Sequence, residues 1–157
     1  MAKVSTKKKK TQYHLCRENL GLSREKASEL LGISPERLER IENEKLAIYP
    51  EEVIAMSKVY KCSNLCNYYC THHCPIGKKY VPEVKNENLS QIVLEMMVSL
   101  NKANDNKNRL MEIIVDGNVS SDELEDFKNI QAQLDNISST VLALKLWTEQ
   151  MLSKDKQ

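Results

Sequence analysis

Between positions 22 and 42 the apolar residues fall at helical spacing in two short runs separated by a turn. Ala27, Leu30 and Leu31 mark one face of the first run, and Leu38 and Ile41 mark one face of the second. Ser23 is placed to cap the first helix, and Gly32 to end it by allowing positive φ. Ser34 then caps the second helix, with Pro35 in its first turn, where a missing N–H costs nothing. With Leu38 and Ile41 turned inward, Glu36, Arg37, Glu39 and Arg40 must turn outward. Two helices, a tight turn and a basic outer face are the layout of a helix-turn-helix that reads DNA.

The same spacing predicts further short helices over 12–19, 50–59 and 63–70, so that residues 11–74 form a five-helix unit. Pro75, Gly77 and Pro82 interrupt the pattern, and 75–86 reads as a linker. Beyond it, Leu89, Val93, Met96, Leu100, Ala103, Lys107, Leu110 and Ile114 alternate four- and three-residue steps. A second such seam runs through Phe127, Ile130, Leu134, Ile137, Val141, Leu144, Thr148 and Met151. Asp116-Gly117-Asn118 ends the first, and Ser121 opens the second. Residues 87–154 therefore predict a long, coiled-coil-like antiparallel hairpin. Ile92, Met97, Ile113, Leu142, Leu146 and Trp147 fall off these seams. Leaving them in water is costly at about 25 cal/mol per Å2 of apolar surface. A hairpin from a second subunit is the expected cover, the N-terminal unit of the same chain the alternative.

Composition sharpens this all-α reading. Four glycines, four prolines and a single Phe in 157 residues argue against a β-sandwich or barrel. No apolar run approaches the ~18 residues that a membrane span needs. No apolar stretch follows the lysine-rich N-terminus, so no secretory signal is read and a cytoplasmic location is expected. The five cysteines are then expected to be reduced. The net charge of +1 divides unevenly. Residues 1–62 hold thirteen Lys and Arg against nine Asp and Glu, and residues 63–157 hold ten against thirteen. The basic surplus thus lies with the helix-turn-helix, where phosphate contact would need it. Residues 1–10 read as a disordered basic tail, whose Lys7–Lys10 run is either simply solvated or an arm along the phosphate backbone.

The motifs of 12–60 resemble the Xre/Cro-like, phage-repressor class of helix-turn-helix proteins. Arg17 to Ser23 reads R-x-x-x-G-L-S, Ala27 to Ser34 reads A-S-E-L-L-G-I-S, and Ile41 to Lys45 reads I-E-N-x-K. The resemblance implies a lambda-repressor-like five-helix domain that binds double-stranded DNA. It makes Arg17 and Glu42 a structural ion pair between the first helix and the recognition helix. Arg24, and Asn43 with Lys45, match phosphate-binding positions. Glu36 and Arg40 match positions that read base edges, with Arg37 alongside. Two departures stand out: Pro35 replaces a polar reader, and Glu44 sits where glycine is usual, so the exit turn must adjust or strain.

Cys62, Cys66, Cys70 and Cys74 recur every four residues, with His72 and His73 beside them. Three readings stay open: packing, a metal site, or thiol sensing. Four helical residues advance ~6 Å, so a zinc or iron–sulfur site must use a subset such as Cys66, Cys70 and Cys74. No catalytic constellation is recognised, and no resident cofactor is required. The expected function is a homodimeric, sequence-specific transcriptional regulator, joined through 87–154. The alternatives are a protein-interaction module using the helix-turn-helix as scaffold, and a metal- or thiol-sensing regulator.

Overall fold

The computed structural model describes residues 10–85, 88–115 and 117–154. Residues 1–9 of the basic tail, 86 at the end of the expected linker, 87 at the start of the expected hairpin, Asp116 of the hairpin turn and 155–157 lie outside them. Every regular element among the described residues is a helix: α1 Gln12–Asn19, α2 Arg24–Leu31, α3 Pro35–Glu42, α4 Pro50–Val59, α5 Asn64–His72, α6 Pro75–Tyr80, α7 Leu89–Asp105, α8 Lys107–Ile113 and α9 Leu124–Lys154.

The first five helices enclose a core of Tyr13, Cys16, Ala27, Leu38, Ile41, Val53, Met56 and Leu65. Local chemistry sets their ends. The Ser23 hydroxyl accepts from the Lys26 N–H at 3.2 Å, and the Ser34 hydroxyl from the Arg37 N–H at the same distance. Gly32 leaves α2 at φ 67°, a conformation that costs glycine little. Thr11 caps α1, and its hydroxyl also donates to the Glu42 carbonyl at 3.0 Å, tying the start of α1 to the end of α3.

The stretch expected to be a linker is instead structured. Pro75–Tyr80 forms α6, because proline at a first helical position starts a helix as readily as it breaks one. The Cys74 sulfur accepts from the Gly77 N–H, and α6 lies so close to α5 that a Cβ on Gly77 would overlap the Cys70 carbonyl. Buried Asn67 then holds the chain that follows, donating to the Pro82 carbonyl at 2.8 Å and accepting from the Val84 N–H at 2.9 Å.

The hairpin is an antiparallel pair, but its inner face differs from the expected one. On α7 and α8 the residues turned inward run Leu89, Ile92, Met96, Ser99, Ala103, Asn106, Leu110 and Ile113. On α9 they include Ile130, Gln133, Ile137, Thr140, Leu144 and Trp147. Four of the eight positions of the first expected seam and three of the eight of the second are therefore correct, while Val93, Leu100, Lys107, Ile114, Phe127, Leu134, Val141, Thr148 and Met151 are exposed. The expected first helix also breaks at Asn106, which closes α7 and precedes α8. Ile92 and Ile113, expected to need a second subunit, are buried within the chain.

The end of α9 rests on the N-terminal unit. Gln150 Nε2 donates to the Lys61 carbonyl at 2.8 Å, and Gln150 Oε1 accepts from the Ser63 N–H at 3.2 Å. Between these residues Cys62 is disulfide-bonded to Cys16. The expectation of five reduced cysteines fails at this pair. The two are 46 residues apart in sequence and meet because α1 packs against α5, whose preceding turn carries Cys62.

Candidate nucleic-acid interface

The two helices of the motif present α3 with one face sealed and the other open. Leu38, Ile41 and Glu42 are buried, whereas Ser34, Pro35, Glu36, Glu39 and Arg40 are exposed. Glu36 and Arg40 lie four residues apart, one above the other on the open face. Neither forms an ion pair with another described residue. Their charges are free to meet a groove.

Behind that face sits a charged node. The Glu42 side chain is wholly buried and accepts from Arg17 Nε at 2.5 Å, Arg17 Nη2 at 3.1 Å and Arg24 Nε at 2.9 Å. Arg17 Nη1 also donates to the Leu22 carbonyl at 2.6 Å, so the guanidinium bridges α1, the turn before α2 and α3. Burial alone would raise the Glu42 carboxyl. The hydrogen bonds from Arg17 and Arg24 outweigh it and hold the group below its ordinary range. Arg17 and Glu42 thus tie helices together. Arg24, matched by resemblance to a phosphate contact, also spends its Nε on Glu42, leaving its side chain about one-third exposed.

Arg37 is placed differently from Arg40. Its guanidinium makes two parallel hydrogen bonds to Glu52 of α4, at 2.6 and 2.9 Å, and lies 5.2 Å over the Tyr49 ring. Glu52 accepts in addition from the Tyr49 N–H at 2.9 Å, capping α4. The Arg37 pair holds the Glu52 carboxyl down against the opposing effect of burial. Sequence reasoning misses both Glu52 and Tyr49. The signal is present in Tyr49-Pro50-Glu51-Glu52, where an acid three residues past a helix start can reach back to its N–H.

At the exit of α3 the chain turns sharply. Asn43 Nδ2 donates to the Glu39 carbonyl at 2.8 Å, and Lys45 is exposed. Glu44 adopts φ 54°, the left-handed conformation in which glycine would be relaxed. Arg24, Glu36, Arg37, Arg40, Asn43 and Lys45 therefore all belong to α2, α3 or the turn after it. Glu36, Arg40 and Lys45 are the members whose side chains are not tied to another described residue of the domain.

Among the described residues no group of three or more His, Cys, Asp or Glu side chains comes together to hold an ion. Cys66, Cys70 and Cys74, the candidate ligands, are partly buried free thiols. Burial pushes the Cys70 thiol up, as do the neighbouring Cys74 and Cys66. Cys74 directs its sulfur at the Gly77 N–H, and His73 is tied up by ring contacts with Tyr13 and Tyr69. Burial lowers His73 as well.

No described helix is long and apolar enough to cross a membrane. Neither the curated proteins nor the solved structures yielded a match to this chain. A family model described as Helix-turn-helix matches residues 14–63, from within α1 to the turn after α4. Over that segment the protein carries a helix-turn-helix of the Xre/Cro-like family, the fold of DNA-binding regulators.

Proposed function

We propose that the protein is a sequence-specific transcriptional regulator acting in the cytoplasm, with two copies each laying α3 into the major groove of a roughly palindromic site. The observation that carries this reading is the pairing of exposed Glu36 and Arg40 on a helix whose back is locked by Glu42. A reader must hold its contacting groups in fixed geometry, and this helix is pinned at its buried face. Arg40 can grip guanine O6 and N7, and Glu36 can accept from a cytosine amine. Arg24, Asn43 and Lys45 border the open face and supply phosphate contacts, joined by Arg37 only if it leaves Glu52.

A second reading has its own support. Glu36 and Glu39 make the open face partly acidic, and Arg24 and Arg37 are engaged by carboxylates. That balance suits a scaffold whose hairpin binds another protein. Selection of bound fragments from random DNA, followed by anisotropy titration of Arg40→Ala, separates the two. The DNA reading expects an enriched motif, a steep fall in affinity with salt, and a loss of about 1–3 kcal/mol in Arg40→Ala. No enriched motif, and an unchanged Arg40→Ala, would leave the scaffold reading standing.

A further inference from the structure

The hairpin leaves one long side uncovered. Relative to the shared positions Leu89 and Met96, residues one step further round α7 are Val93 and Leu100, with Met97 a second step beyond Val93, all exposed. On α9 the corresponding residues beside Ile130 and Ile137 are Phe127, Leu134 and Val141, also exposed. At 100° per residue, a four-residue step from the contact line turns each helix the same way about its own direction. Because the two helices are antiparallel, those turns bring both stripes to the same side of the pair. The opposite side holds Ile92 and Trp147, near the seat of α9 on the N-terminal unit.

We propose that this open side seats a second copy of the chain, with the two-fold axis running along the helices, so that α7 of each copy lies against α9 of the other. The axis, though not the surface, rests on the DNA-binding reading above.

Three observations favour a second copy as the occupant. The exposure is large: Met97 is 53 % exposed, Leu134 55 %, Val141 46 % and Leu100 41 %. With Met111 and Leu152 extending the stripes, the surface reaches the order of the ~800 Å2 per partner that a stable interface needs. The row beside the stripes holds Asn104, Gln131 and Ser138 with Lys145 its one charge, Lys107 enters the α7 stripe, and Lys128, Asp135 and Glu149 stand one row further out on α9 as a charged rim. Charge depletion of this kind marks interface cores. Finally, both helices repeat their exposed residues every seven positions, so two copies present matching ridges and a two-fold contact is self-complementary.

The direction of the axis follows from length. The 31 residues of α9 span about 46 Å. An axis across the helices would send the two N-terminal units to opposite ends, further apart than the ~34 Å between adjacent major-groove faces. An axis along the helices keeps both units at the same end, where α9 meets Lys61 and Ser63.

Sedimentation equilibrium of the full chain without DNA tests the surface. The wild type is expected at twice 18.1 kDa at micromolar concentration, and Leu100→Glu with Leu134→Glu at 18.1 kDa with unchanged helical circular dichroism. A monomeric wild type, or a variant that stays dimeric, overturns the proposal. A photo-crosslinking residue at position 100, in mixed isotope-labelled and unlabelled chains, tests the axis and needs no destabilising change. Counted from the hairpin turn, position 100 is level with about 137, so crosslinks to 131–141 of the second chain are expected. Crosslinks to the second chain's α7 overturn the arrangement. Because no DNA is present, failure here leaves the Arg40 titration untouched, and failure of that titration leaves the dimer standing.

Discussion

Arg37 and Glu52 face each other through two parallel hydrogen bonds, so the recognition helix is fastened to α4 by one of its own outward-turning residues. A side chain that chemistry would assign to DNA is instead committed to the protein. The carboxylate that holds it also caps the helix it comes from.

Glu52→Gln should therefore weaken the fold and free a cation together. Loss of the Glu52 carboxylate costs about 1–2 kcal/mol, allowing for the partial exposure of its pair. The released guanidinium should steepen the slope of log affinity against log salt by roughly one contact. Urea denaturation and a salt series on the same variant check both halves, and an unchanged slope would show that Arg37 stays off DNA even when released.

Glu42 sets an acid limit on stability. Its folded carboxyl lies below the ordinary value, so its contribution is fully present above the unfolded pKa near 4.5 and is lost as pH falls through the depressed folded value. Stability of the wild type should thus decline below about pH 5. In Glu42→Gln that part of the decline should be missing, and the fold should be weaker at neutral pH by about 3 kcal/mol, because Arg17 keeps a buried charge without its partner. Thermal melts from pH 3 to 7 on both proteins give the comparison.

The Cys16–Cys62 bond closes a loop across the whole helix-turn-helix. Reduction with a dithiol, or Cys16→Ser, should lower unfolding free energy by about 2–4 kcal/mol through the freedom returned to the unfolded chain. Equal melting temperatures with and without reductant would mean that the bond does not persist in solution.

Gly77→Ala should act on α6 alone. The added methyl meets the Cys70 main chain, which cannot yield without moving α5, so a cost of about 1–3 kcal/mol is expected. Hydrogen exchange should report it first at Lys78–Tyr80, with the amides of α3 left unaffected.

These features are legible in the sequence to very different degrees. The helix-turn-helix can be read because its signals are local: Ser23, Gly32, Ser34 and Pro35 each act within one turn of the chain. The hairpin is visible as two periodic stretches, yet Ile92 and Val93, or Ile113 and Ile114, are adjacent apolar residues that suit either of two registers. Only packing decides which of each pair goes inside. On α9 the inward line even takes in Gln133 while apolar Leu134 beside it stays exposed, a choice that no apolar pattern announces. The segment after Cys74 misleads because Pro75 and Gly77 look like interruptions. In the fold, proline begins the helix and glycine lets it approach α5. The Cys16–Cys62 pairing is beyond pattern reading, since nothing near either residue encodes a meeting 46 positions away. Glu44 is a middle case, flagged by its residue type and found at positive φ.

Gln150 clasps the main chain on both sides of Cys62, at Lys61 and at Ser63. The stalk and the reading head consequently turn as one body rather than swivelling on a tether. In a paired assembly the gap between the heads would behave like a set caliper. Lengthening the spacer of an operator by half a helical repeat should then be punished far more than changing its outermost bases.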